Sequence, residues 1–137
     1  MTHPDGYNKM RWDCEKRGCF NIKRRPKIEY FSKFFPRAIS FGDVDGLVEV
    51  SNHFLLMEWK GDDRRGLPTG QRITYERITL DHRFCVLVVS GNAETMHITG
   101  CSYFLEGKQS KWIEADFDYV GRFIGRWVAY VQRGEAA

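Results

Sequence analysis

Four charged residues in the stretch GDVDGLVEVSNHFLLMEWKG, residues 42–61, are of types that could act together on a substrate. Asp43 and Asp45 stand at one end, Glu58 and Lys60 at the other. The stretch reads as a hairpin turning at Ser51-Asn52, because Asn tolerates the left-handed backbone that tight hairpin turns require. With that turn Val50 faces His53, Val48 faces Leu55, Asp45 faces Glu58 and Asp43 faces Lys60. Opposed residues share one face of a sheet, as do residues two apart along a strand. The four charges are therefore expected in one polar cluster at the open end. Val44, Val48, Val50, Leu55, Met57 and Trp59 go to the opposite face. Opposed carboxylates repel each other unless a cation lies between them. Hard divalent ions such as Mg²⁺ or Mn²⁺ favour carboxylate oxygen. The set suits metal-assisted hydrolysis of a phosphodiester: the ion activates water, and Lys60 positions the nucleophile or stabilises the charge that builds on the phosphate. The same charges also fit a plain salt-bridge ladder on a surface hairpin.

Such a cluster needs elements to hold it. A short helix is expected over residues 7–16. A second lies in PKIEYFSKFFPR, where Ile28, Phe31 and Phe35 recur at helical spacing until Pro36 stops it. After the hairpin, LPTGQRITYERITLDH reads as a helix beginning near Thr69, an N-cap residue. RFCVLVVSG is an apolar run of strand length, expected at the centre of a sheet. AETMHITGCSYFLEG adds one or two extended segments. EADFDYVGRFIGRWVAYVQRG closes the chain with Phe117, Val120, Ile124, Trp127, Val128 and Val131 on one helical face. The order helix, strand, strand, helix, strand, strand, helix describes a small α/β domain with a mixed sheet. Residues 1–137 are expected to form a single domain with a basic N-terminal region, 1–37.

Composition agrees with a folded domain. The chain has 137 residues, of which 42% are hydrophobic and 15% aromatic, enough to fill a core. No apolar run approaches the roughly 18 residues of a membrane span, and MTHPDGYNKM lacks a signal-peptide core. A soluble, cytoplasmic protein with no membrane partner is expected. Cys14, Cys19, Cys85 and Cys101 read as free thiols in a reducing compartment. Cys14 and Cys19 have a separation zinc could use, but no second close Cys or His pair joins them. Charge is uneven: residues 1–37 hold ten Lys or Arg against four Asp or Glu, and the other hundred hold eleven against fourteen. A basic arm before an acidic-leaning body suggests a polyanion partner beside a carboxylate-rich site.

Asp45, followed thirteen residues later by the triplet Glu58-Trp59-Lys60, resembles the signature of the PD-(D/E)XK nuclease superfamily. Gln71 and Tyr75 then match the Q-x-x-x-Y spacing of its RecB-like and lambda-exonuclease-like branch. The thirteen-residue gap is also similar to that of compact Holliday-junction resolvases. The resemblance covers residues 41–80. It implies a restriction-endonuclease-like αβββαβ core with a mixed central sheet flanked by helices. It implies a divalent-metal-dependent deoxyribonuclease, either an exonuclease or a structure-specific endonuclease. By the same resemblance Asp45, Glu58 and the backbone carbonyl of Trp59 would be metal ligands, and Lys60 the catalytic lysine. Gln71 and Tyr75 would orient the site or hold the DNA phosphate. Many members take a further glutamate from the first helix. Glu29 is preferred here to Glu15. Val44 stands where the family has proline. Asp45 is preferred to Asp43 for the first acid because it faces Glu58, and Gly46 after it leaves room. Asp43 then stands behind the ligands or pairs with Lys60. Many members dimerise to engage two strands, so a homodimer is a further expectation. The size and lone nuclease domain look like those of a phage or mobile-element protein. The alternative is a nuclease-fold module without catalysis that binds DNA or inhibits a partner enzyme.

Other residues receive plainer readings. Lys23, Arg24, Arg25 and Lys27 form a basic run suited to gripping the DNA backbone. Arg122, Arg126 and Arg133 read as a solvated stripe of the last helix. His53, by the turn, reads as structural. Trp12, Trp112 and Trp127 read as core residues rather than base-stacking groups. Glu49 shares the site face but lies about 13 Å along the strand from Asp45.

Overall fold

A computed structural model describes Pro26, residues 28–61 and residues 66–136. The chain divides into two compact units, Met1–Gly42 and Asp43–Ala137. In the first unit, Ile28–Phe34 winds as a 3₁₀ helix with no buried residue. Three residues per turn bring i and i+3 into line. Phe34 rather than Phe35 therefore follows Phe31, with ring centroids 6.5 Å apart. The helix ends ahead of Pro36, as expected, and Phe35 and Phe31 both meet Phe41 edge-on. The helix expected over residues 7–16 lies outside the described residues.

The second unit is α/β and is built on one mixed sheet. Strands β1 (Gly46–Val50) and β2 (His53–Lys60) form the expected hairpin. Ser51 and Asn52 have φ of 51° and 63°, the two positive angles of a type I′ turn. The Glu49 carboxylate accepts the Asn52 N–H at 2.8 Å and braces that turn. The pairing is the one expected: Val50 with His53, Val48 with Leu55, Gly46 with Met57. It stops there. Asp43 and Asp45 precede the ladder instead of continuing it. Asp and Gly are poor strand formers, and Gly42, Asp43, Asp45 and Gly46 crowd this end of the strand.

Helix α1 (Thr69–Ile78) carries the chain back so that β3 (Phe84–Asn92) runs parallel to β2. Pro68, not Thr69, caps the helix, and no side chain caps its N-terminus. β3 is buried from Cys85 to Gly91 and sits mid-sheet, as its unbroken apolar run implies. β4 (His97–Leu105) returns antiparallel, and the short β5 (Lys108–Gln109) and β6 (Ile113–Glu114) pair with it. The strand order is β1-β2-β3-β4-β5, with β6 also on β4. A bulge interrupts β3 and β4: Ser90 faces Gly100 but Gly91 faces Ile98, leaving Thr99 as the extra residue.

Strand alternation sorts the side chains into two layers. Leu55, Cys85, Leu87, Val89 and Cys101 face α2 (Phe117–Ala136), packing with Val120, Phe123, Ile124 and Trp127. Leu56, Val86, Val88 and Phe104 face α1, packing with Tyr75 and Ile78. Phe117 departs from the expected apolar stripe and is 60% exposed. Side chains of a helix tilt toward its N-terminus, so the first residue projects past the sheet. Arg122, Arg126 and Arg133 are exposed, as a solvated stripe should be. Among the described residues no helix is long and apolar enough to cross a membrane.

Candidate active site

The site lies on the α1 face, at the end of β2 that β1 leaves unpaired. Alternation along β2 turns Glu58 and Lys60 toward α1, and Gln71 and Tyr75 sit one helical turn apart on its facing side. Tyr75 is the one buried residue of α1. Its hydroxyl donates to Glu58 Oε2 at 2.8 Å. Gln71 Nε2 donates to Glu58 Oε1 at 2.9 Å, while Gln71 Oε1 accepts from Lys60 Nζ at 2.9 Å. Lys60 Nζ also lies 3.4 Å from Glu58 Oε1. Glu58 is 6% exposed. A buried carboxylate is tolerable only with hydrogen bonds and a counter-charge, and here it has both. The two contacts of Gln71 also fix which way its amide points.

Burial and the hydrogen bond to Glu58 push the Tyr75 hydroxyl well above the ordinary phenol range, and the charges of Glu58, Asp45 and Asp43 add to the shift. Tyr75 is therefore a fixed proton donor, not a base.

Asp45 meets β2 differently from the expected cross-strand pair. Its Oδ2 accepts the Trp59 backbone N–H at 2.6 Å. The Phe54 N–H turns toward β3, bonding Arg83 O at 2.8 Å. The odd-numbered residues of β2 thus turn their peptide groups toward β1, since N–H and C=O of one residue share a side. At Trp59 the ladder has already ended, so Asp45 takes the N–H that β1 would have taken. The Trp59 carbonyl faces the same open edge. The expected pairing of Asp43 with Lys60 does not form: Lys60 turns inward to Gln71 and Glu58, and Asp43 is exposed.

The donor atoms here are all oxygen, the type that a hard divalent cation takes. Asp45, Glu58 and the Trp59 carbonyl offer only oxygen, and Mg²⁺ is commonly held by one or two carboxylates with water and substrate phosphate completing the shell. Among the described residues no group of three or more His, Cys, Asp or Glu is placed to hold a metal ion. Glu29 lies in the 3₁₀ helix of the first unit and is exposed. Lys23, Arg24, Arg25 and Lys27, with Glu15, Trp12, Cys14 and Cys19, lie outside the described residues. His53 is half-buried, with Nδ1 2.9 Å from Ser51 O and its ring edge-on to His82.

Ser90 was not singled out by sequence. It is the Cα partner of Lys60 on β3, and it is 1% exposed. A serine closing an otherwise apolar strand was the signal available. No family model, no curated protein and no solved structure matches the chain.

Proposed function

We propose that the chain is a divalent-metal-dependent nuclease of the PD-(D/E)XK type, with the restriction-endonuclease-like form of α/β fold, that hydrolyses DNA phosphodiester bonds. The observation that carries this reading is the convergence of Glu58, Lys60, Gln71 and Tyr75 in one hydrogen-bonded cluster beside Asp45. These residues come from three separate segments of the chain.

Asp45, Glu58 and the Trp59 carbonyl would hold Mg²⁺ or Mn²⁺. When bound, the ion lowers the pKa of water and offsets charge on the phosphate. Water attacks phosphorus in line as the P–O bond to the leaving oxygen breaks; the water gives up a proton to solvent and the leaving oxygen takes one from solvent. Lys60 holds its ammonium against the site through Gln71 and stabilises the negative charge that grows on the phosphate oxygens. Gln71 sets the direction of Lys60 and of one Glu58 oxygen together. Tyr75 anchors the other Glu58 oxygen and so fixes the carboxylate plane. Asp43 adds negative charge that favours a cation. Lys23, Arg24, Arg25 and Lys27 supply sequence-independent grip on the DNA backbone.

A cleavage panel tests the proposal. Linear duplex, single-stranded, nicked-circular and four-way-junction DNA are each incubated with EDTA, Mg²⁺ or Mn²⁺. Cutting is expected with metal and not with EDTA. Glu58→Ala and Lys60→Ala should each lower it by at least about a hundredfold. Absence of cutting on every substrate, together with absence of Mn²⁺ binding, would leave a nuclease-like fold used for binding alone.

A further inference from the structure

A cavity of about 590 Å³ opens at the His53 end of β2, lined by His53, His82, Tyr130, Arg133 and Gly134. Lys60 stands at the other end of the same strand, roughly 23 Å away at the usual rise per residue. His53 and Lys60 also differ in parity, so they point to opposite sides of the sheet. The cavity is therefore separate from the candidate active site.

Its lining holds hydrogen-bond donors and no carboxylate. Arg133 lies in the last turn of α2 and is exposed. Tyr130, three residues before it, is 62% exposed. Among the described residues neither the guanidinium nor the phenol hydroxyl has a hydrogen-bond or ion-pair partner. The two imidazoles meet edge-on, with ring centroids 6.1 Å apart. His53 Nδ1 lies 2.9 Å from the Ser51 carbonyl oxygen. A carbonyl only accepts, so Nδ1 carries the proton and Nε2 is the nitrogen left for a ligand.

A neutral Nε2 is an acceptor and suits a metal ion; a protonated one is a donor and suits an anion. The neighbours decide between the two. Arg133 repels a cation, and no carboxylate in the lining offsets it. Asp81, the acidic neighbour of His82, gives both oxygens to the Arg83 guanidinium at 3.2 and 3.0 Å. It is thus held away from ligand duty, while its charge favours a protonated His82. Val50, the register partner of His53 on β1, brings no charge. The carbonyl end of α2 adds about half a negative charge. Against it stand one guanidinium and up to two imidazolium rings.

We infer that this cavity binds a phosphate group, free or on a small ester, held by Arg133, Tyr130 and the protonated rings of His53 and His82. Binding is coupled to uptake of protons by the two rings. The inference does not depend on the nuclease reading. The volume leaves room for the rest of a small phosphomonoester.

The test follows the imidazole proton signals of the full chain by NMR at constant ionic strength, at pH 6 and at pH 8. Sulfate, inorganic phosphate and thymidine monophosphate are the probes. Variants His53→Gln and His82→Gln assign the signals. Saturable movement of the His53 and His82 signals is expected, with His97 unmoved. Sulfate is doubly charged at both pH values, so tighter sulfate binding at pH 6 reads the protons taken up by the rings. Arg133→Gln, checked for an unchanged melting transition, should weaken binding by roughly tenfold or more. Arg122→Gln, on the same helix but outside the cavity, should not. Tighter binding of thymidine monophosphate than of phosphate assigns the site to an ester, and equal binding assigns it to the free ion; both uphold it. Shifts that never saturate, an equal loss in Arg122→Gln, or equal sulfate affinity at the two pH values would overturn the inference. So would Zn²⁺ moving both signals equally with and without Arg133 while the anions move neither. The readout uses no DNA, so its failure leaves the nuclease proposal standing, and the reverse also holds.

Discussion

The two faces of the sheet are made by the same strands and differ in what they bury. The α2 face buries Leu55, Leu87, Val89 and Cys101 under a twenty-residue helix. Its flaw is the Trp59 indole N–H, the one buried side-chain polar atom without a partner among the described residues. The α1 face sets a ten-residue helix over the sheet and buries a carboxylate, a phenol and most of an ammonium. Apolar contact is indifferent to direction, whereas a buried carboxylate is stable only where its partners point at it. Both faces bury apolar side chains, and the α1 face adds to them charged groups held in fixed positions.

That division can be broken from either side. A large stability effect that spares the site is expected on the α2 face. Leu87→Ala removes a fully buried side chain and should cost about 2–5 kcal/mol in urea unfolding. Cleavage per folded molecule should not change. On the α1 face, Lys60→Met leaves Glu58 without its counter-charge and should cost about 1–3 kcal/mol. The double change Glu58→Gln/Lys60→Met should recover that loss while remaining inactive. A double variant no more stable than Lys60→Met would mean that the charged pair is itself a stabilising contact. Tyr75→Phe strips one hydrogen bond from Glu58 and should cost about 1–2 kcal/mol.

The same hydroxyl sets an alkaline limit. Its folded pKa is raised above the ordinary value of 10.0, so its contribution is fully present below pH 10 and is lost as pH rises above it. Unfolding curves from pH 9 upward should show this loss in wild type, and less of it in Tyr75→Phe. The smallest effect concerns Cys85. Burial pushes its thiol up to about 12. A thiol reagent at neutral pH should label it only after unfolding, with no change in stability beforehand.

How much of this was legible follows from which forces were local. The hairpin register was readable because Ser51-Asn52 can take only a few turn shapes and the alternation beyond it is apolar on one side. Gln71 and Tyr75 were named through the Q-x-x-x-Y resemblance, and i and i+4 share a helical face, so both could be expected to reach one site. The end of β1 at Gly46 was not, since it depends on Asp45 giving its carboxylate to the Trp59 N–H. Pro68 displaced Thr69 as the cap, and 3₁₀ winding replaced Phe35 with Phe34; both are choices of a single turn that spacing does not resolve. The place of Trp112 depends on β6 pairing with β4 opposite a glycine, a contact no local pattern announces.

The turn at Ser51-Asn52 makes the length of β2 part of the site. Counted outward from the turn, even and odd positions go to opposite faces. Deleting one residue between His53 and Met57 would turn Glu58 and Lys60 toward the apolar layer under α2 and present Trp59 to Gln71. Deleting two would restore the face but draw Glu58 roughly 7 Å down the strand, away from Tyr75. A substitution along this strand alters one side chain in place, whereas a change in its length moves Glu58 and Lys60 together.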